Sequence, residues 1–222
     1  MRILALDTAL GACSVAVLED ARVRAHIWQE MERGHAEALA PMVQAAMQQS
    51  GIEFADIDRL AVTTGPGTFT GQRVGLAFAR GLRVALKKPL VGLTTLEVIA
   101  AAASAESGIA SVAVVHDARR GEVYLEIVED GLSVFAPAVL TAQDAASAIA
   151  KHLSNKTFVL AGTAAAQIAE GLAALHIKVS VSTIRQPDAL WLARLAAQAI
   201  PGDTAPAPLY LRAPDAKLPA GA

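Results

Sequence analysis

Two carboxylates in this 222-residue chain stand where they could do chemistry, Asp7 and Asp117. Each closes a short apolar run, Ile3 to Leu6 and Val112 to Val115, and each is followed four residues later by a glycine, Gly11 or Gly121. Carboxylates at the carboxyl ends of strands lining a cleft can hold magnesium or polarise water. The same side chains can cap the turn that follows the strand. A turn that cradles phosphate needs small residues, so that backbone amides approach the oxygens. The first turn, Asp7-Thr8-Ala9-Leu10-Gly11-Ala12-Cys13, has one glycine, and the second, Asp117-Ala118-Arg119-Arg120-Gly121, puts two arginines where glycine is wanted. Both turns suit capping better than nucleotide binding.

The segment Gly65-Pro66-Gly67-Thr68-Phe69-Thr70-Gly71 has the glycine spacing of a dinucleotide loop between strand and helix. Pro66 removes one amide that would face a pyrophosphate, and no Lys-Ser/Thr pair follows. The loop glycines Gly65, Gly67 and Gly71 fit better with a sharp turn that lets the next helix pack close to a neighbour. His35 with Glu37 lacks a second histidine at helical spacing, so a metal pair is not supported. Cys13 reads as a small core residue, and Ser14, Thr68 and Thr70 lack the G-x-S-x-G setting of a hydrolase nucleophile. No catalytic residue and no metal site is assigned.

Stepping out to the elements that would carry these residues, the chain reads as one order written twice. Ile3–Leu6, Ser14–Leu18 and Val23–Gln29 read as strands, His35–Gln49 as helix, Arg59–Thr64 as strand and Arg73–Leu86 as helix. Pro89–Leu93 is strand-like, and Thr94-Thr95-Leu96-Glu97 can open a helix with a threonine cap and an acidic first turn. The order restarts at 111: strands from Val112, over Glu122–Val128 and over Leu132–Leu140, with Asp130-Gly131 as the hairpin turn. Then come helix Thr141–Leu153, strand Thr157–Ala161, helix Ala164–Leu175, strand Lys178–Ser182 and helix Pro187–Ile200. The pattern predicts an α/β protein of two lobes, each with a mixed sheet, over residues 1–105 and 106–205, followed by an extended tail over 206–222.

The helices over His35–Gln49 and Arg73–Leu86 are broadly apolar, and two small lobes offer little core to bury them. That predicts a protein partner. Leu39, Met42, Val43, Ala46 and Met47 on the first helix, and Phe69, Val74 and Ala77 on the second, are the expected contacts, with Arg73 and Arg80 at the rim.

Composition narrows the function classes. Nineteen Lys and Arg against 21 Asp and Glu give a net charge of −2, which lacks the cationic field of a stand-alone nucleic-acid binder. Hydrophobic residues at 54% and charged ones at 18% exclude intrinsic disorder, and a single Cys excludes a disulfide framework. The most apolar stretch, Val98 to Val115, is interrupted by Glu106 and Gly108, so no membrane span is expected. With no export signal in MRILALDT, the expected location is cytoplasmic.

The segments ILALDTALGACSVAVL, RGHAEALAPMV, AVTTGPGTFTGQRVGLAFARGL, PLVGLTTLE, HDARRGEVY and PLYLR together resemble the bacterial TsaB (YeaZ) family. The resemblance implies the duplicated actin-like, or ASKHA (ribonuclease H-like), fold. It implies a non-catalytic dimerising subunit with no cofactor of its own. The partners it implies are a TsaD-like transferase and a TsaE-like ATPase, which together make threonylcarbamoyladenosine beside the tRNA anticodon. On the same grounds a homodimer forms when the partner is lacking, and tRNA is met only through the complex. Asp7, Thr8, Asp117 and Gly162 (in Leu160-Ala161-Gly162-Thr163, similar to an adenosine-binding turn) would be the remains of a nucleotide site. The competing reading is a magnesium-dependent ATPase or phosphotransferase of the actin-like superfamily, using Asp7 and Asp117 with ATP and magnesium.

Overall fold

A computed structural model describes residues 1–212. The first half lays down β1 (Arg2–Asp7), β2 (Ala12–Glu19) and β3 (Arg22–Glu30) as an antiparallel meander. Then follow α1 (His35–Ser50), β4 (Arg59–Thr63), α2 (Phe69–Leu86), β5 (Leu90–Leu93) and α3 (Thr95–Ser107). The second half repeats this with β6 (Ser111–Arg119), β7 (Glu122–Glu129), β8 (Leu132–Thr141), α4 (Ala142–Leu153), β9 (Val159–Ala161), α5 (Ala165–Ala174), β10 (Ser180–Val181) and α6 (Ala189–Gln198). The sheets run β3-β2-β1-β4-β5 and β8-β7-β6-β9-β10, the same order position for position. In each, the meander is antiparallel and the two crossover strands are parallel.

Strand alternation shows why the central runs of β1 and β6 are wholly apolar. Leu4 and Leu6 of β1 face α1 and α2, whereas Ile3 and Ala5 face α6. In β6, Ala113 and Val115 face α4 and α5, whereas Val112 and Val114 face α3. Each sheet is covered on both faces, so neither face can be polar. Sequence position and spatial layer part company at two helices: α3 from the first half lies on the second sheet, and α6 from the second half lies on the first. The division at 105/106 therefore describes the strand sets and not the layers.

Local chemistry sets the helix ends. Thr68 Oγ1 accepts the Gly71 amide at 3.0 Å, which starts α2 at Phe69 and takes Phe69, Thr70 and Gly71 out of the expected loop. Asp188 caps α6 through the Leu190 amide at 2.8 Å, so that helix begins after Pro187 rather than at it. A full capping box joins Thr94 and Glu97 at the start of α3. Asp130 and Gly131 take φ of 50° and 77°, the left-handed pair a two-residue hairpin turn requires.

The structure corrects one expectation. Leu39, Met42, Val43, Ala46 and Met47 are at most 8% exposed, packed on β1, β2 and β4 inside this chain's own core. One stripe of α1 is apolar, and the first sheet covers it, so these five side chains are not available to another subunit. The outer face of α1 carries Ala40, Pro41, Gln44 and Gln48 instead.

Two expected outcomes follow. A Cβ at Gly71 would be driven into the Thr8 carbonyl, closer than side-chain carbons approach any heavy atom, whereas one at Gly81 meets open space in the same helix. Urea denaturation should show Gly71→Ala losing about 3 kcal/mol or more and Gly81→Ala gaining about 1 kcal/mol. Second, Glu126 on β7 is 1% exposed against α3. Burial pushes its carboxyl up to about 7; the hydroxyls of Ser133 and Thr94 oppose that, and the nearby Glu97 charge adds to it. In the unfolded chain it ionises near the ordinary 4.5, so its contribution is intact below that pH and is lost as pH rises through about 7. Glu126→Gln should match the parent protein at pH 4.5 and exceed it by on the order of 2–3 kcal/mol at pH 8, read from denaturation curves at both pH values.

Candidate functional site

The two carboxylates expected to line a cleft stand at corresponding places: Asp7 closes β1, and Asp117 lies two residues before the end of β6. Asp7 is fully buried at the end of β1. Its Oδ1 accepts the Thr63 hydroxyl at 2.5 Å and the Ala9 amide at 3.2 Å, and its Oδ2 is buried with no partner. Burial raises its pKa to about 6 against the two hydrogen bonds that hold it down. The charge of Asp188 adds to the rise. Asp7 is thus a turn cap set in an apolar wall.

Around it the turn is engaged on every side by the chain itself. The Thr8 hydroxyl donates to the Gly71 carbonyl at 2.7 Å, and the Thr68 amide donates to the Ala9 carbonyl at 2.8 Å. The Leu10 carbonyl takes the His35 Nε2 proton at 3.0 Å, which accounts for His35 without a metal. The Gly11 amide donates to Gln186 Oε1 at 3.1 Å, and the Gly11 carbonyl accepts the Met31 amide at 3.1 Å. The loop after β4 makes this possible. Gly65 takes φ of +108° beside the cis Pro66, and any side chain at Gly67 would strike the Ala9 carbonyl. The glycines serve backbone-to-backbone packing of this loop onto the first turn.

The second turn differs in detail. Asp117 is exposed; its Oδ1 accepts the Arg119 amide at 2.7 Å, and its own amide donates to Thr163 Oγ1 at 3.0 Å. Arg119 and Arg120 take φ of 63° and 60°, a left-handed pair that costs non-glycine residues of order 1 kcal/mol each. Gly162, at φ +98°, packs against the Val115 carbonyl, and its amide donates to Ile184 at 2.9 Å. The four residues Asp7, Thr8, Asp117 and Gly162 therefore cap, bridge and pack. The amides of Ala9 and Gly11 already have acceptors within the chain, Asp7 Oδ1 and Gln186 Oε1. Among the described residues, no three His, Cys, Asp or Glu side chains gather as metal ligands, and no helix is long and apolar enough to cross a membrane.

On α2, Val74 packs half-buried on the core, whereas Arg73, Ala77 and Arg80 are exposed, and Phe69 is 50% exposed. The arginines expected at an interface rim are tied to a segment that sequence reading did not place. Arg73 lies 3.5 Å over the Phe69 ring and donates to the Tyr210 hydroxyl at 2.9 Å, with Tyr210 stacked on Phe69 at 5.8 Å. Arg80 donates to the Pro206 carbonyl at 3.2 Å and Arg83 to that of Asp203 at 2.9 Å. The Leu209 amide reaches the Thr64 carbonyl at 2.8 Å. Residues 203–210 thus run along α2, in the first half of the chain. Arg212 reaches the second half, where it bonds the Ala118 carbonyl at 3.1 Å and pairs with Glu122. Of the tail, residues 213–222 lie outside the described residues. Prolines at 201, 206 and 208 signalled an extended path; nothing local signalled what it crosses.

Comparison with known proteins agrees with this geometry. The family model described as "TsaD: tRNA N6-adenosine threonylcarbamoyltransferase" matches residues 27–198. The chain is 44% identical over 124 residues to the Escherichia coli (strain K12) "tRNA threonylcarbamoyladenosine biosynthesis protein TsaB", covering 56% of this chain and 53% of that protein. The Haemophilus influenzae protein of the same name is 37% identical over 132 residues, covering 58% and 54%. The chain spans about half the length of these curated relatives. The solved YeaZ structure from Pseudomonas aeruginosa superposes with a TM-score of 0.78 at 28% identity, over 95% of this chain and 99% of that one. A Thermus thermophilus ROK hexokinase, at TM-score 0.54 and 15% identity over 89% and 100%, shares the actin-like fold alone. With two like-ordered mixed sheets, a closed first turn and a family match over most of its length, the chain belongs to the TsaB (YeaZ) branch of the TsaD family.

Proposed function

We propose that this chain is a scaffold and activator subunit, without catalytic residues of its own, in threonylcarbamoylation of the adenosine adjacent to the tRNA anticodon. Its partner is a TsaD-type transferase, with a TsaE-type ATPase completing the set, and tRNA is met through the assembly. The observation that carries this reading is the first turn. The Ala9 and Gly11 amides that would grip phosphate in an ATPase are held by Asp7 and Gln186, and the carbonyl between them is held by Thr68. A magnesium-dependent phosphotransferase would need that turn open.

The surface that supports partner binding is narrower than helical apolarity alone suggests. With the inner stripe of α1 in the core, the candidate strip is the outer face of α2: Ala77, Gly81, Val84 and Ala85, three to four residues apart. Val84 is 78% exposed. Arg73 and Arg80 flank the strip, held by the tail. Small residues there let a second helix approach closely, and Val84 supplies the apolar contact.

Co-expression with the TsaD-type transferase of the same organism tests this. Ala77→Glu and Val84→Glu should each leave the thermal unfolding midpoint of the isolated chain unchanged. Each should weaken the complex by about 100-fold or more, because a charge is left buried without a partner. Full complex formation by both variants would overturn the assignment of this face.

A further inference from the structure

The chain has two tryptophans, Trp28 and Trp191, 163 positions apart, and both line one open hollow of about 290 Å³. It lies where the end of β3 meets the segment leading into α6, with Ala102 of α3 contributing to its lining. Its volume suits a side-chain-sized group rather than a nucleotide. Trp28 is held by its indole N–H, which donates to the Pro187 carbonyl at 3.4 Å, and remains 42% exposed. Trp191 already attracts a guanidinium within this chain: Arg194 Cζ stands 4.4 Å from its ring centre.

Charge completes the description. Glu30 lines the hollow and makes no side-chain hydrogen bond or ion pair among the described residues. Asp188 also lines it; its Oδ1 takes both the Leu190 amide and His26 Nε2, each at 2.8 Å, which leaves Oδ2 unengaged. Arg185 is the one cation in the lining. Within the lining, Glu30 and Asp188 against Arg185 leave an excess of one negative charge. Aromatic rings with a single surplus carboxylate suit one planar organic cation, since ring faces attract guanidinium and carboxylates hydrogen-bond its edge. A polyvalent cation would meet Arg185.

We infer that this hollow binds a single guanidinium group, as presented by an arginine side chain. The site is separate from the α2 face, and the test needs no transferase.

Because both tryptophans border the site, the intrinsic fluorescence of the full chain reports on it directly. The titration is run at pH 8 in low salt, with Nα-acetyl-arginine amide as probe. Nα-acetyl-citrulline amide serves as the neutral isostere, spermidine as the polyvalent cation, and free N-acetyl-tryptophan amide as the control for simple quenching. The expected result is a saturable change with the arginine probe. Binding should be about 10-fold weaker with citrulline and about 5- to 10-fold weaker in Glu30→Gln, the range expected for one cation–π and one ionic contact. Trp28→Leu should abolish it. Glu30 is exposed, so the Glu30→Gln fold is not at risk. No saturable change, equal response to citrulline, or tighter binding of spermidine would each overturn the inference.

Discussion

The Ala9 and Thr8 carbonyls, closed over by a loop that has no side chain in the way, are the constraint on which the rest of this structure depends. Gly67 and Gly71 bring the start of α2 against the turn after β1 at backbone distance. From there Thr68 fixes the helix start, Gln72 is buried against Gly65, and the Thr95 amide bonds the Gly65 carbonyl, tying α3 to the same loop. Gln186 reaches the turn from the other direction, on the segment that carries the chain back to the first sheet. One turn therefore joins β1, α2, α3 and the lead-in to α6.

The exchange of α3 and α6 between sheets gives that clasp its mechanical setting. Leu10, from the turn, packs with α3 and the second sheet, while the strand before the turn packs with α6. Arg59 fastens the far end of α6 by donating to the carbonyls of Ala196 and Ala199. The two lobes are thus joined through two helices and a turn, rather than hinged on a single linker. At the outer edge, Arg212 adds a contact to the second turn, at Ala118 and Glu122.

Much of this was legible in the sequence, for physical reasons. The matching spacing of Asp7 to Gly11 and Asp117 to Gly121 marked the repeat of two mixed sheets, although β6 runs two residues past Asp117 where β1 stops at Asp7. Asp130-Gly131 and the Thr94–Glu97 box are local codes, set by φ preference and by capping, and both stand where the residues place them. What could not be read was which surface covers which. The apolar stripe of α1 has the same periodicity whether its own sheet or another chain buries it, and Leu39 to Met47 proved to face the sheet. Gln186 on Gly11, Tyr210 on Phe69, and the meeting of Trp28 with Trp191 join residues far apart in the chain, and none leaves a periodic trace.

The central claim is that the Ala9 and Gly11 amides are permanently engaged inside the chain. Residue-resolved amide exchange and chemical shifts of the isotope-labelled protein, with and without magnesium and ATP, test it most directly. The account predicts strong protection at both amides and no saturable shift at either as nucleotide is added. Rapid exchange at Gly11, or a saturable displacement of the Ala9 and Gly11 resonances by ATP with magnesium, would contradict it.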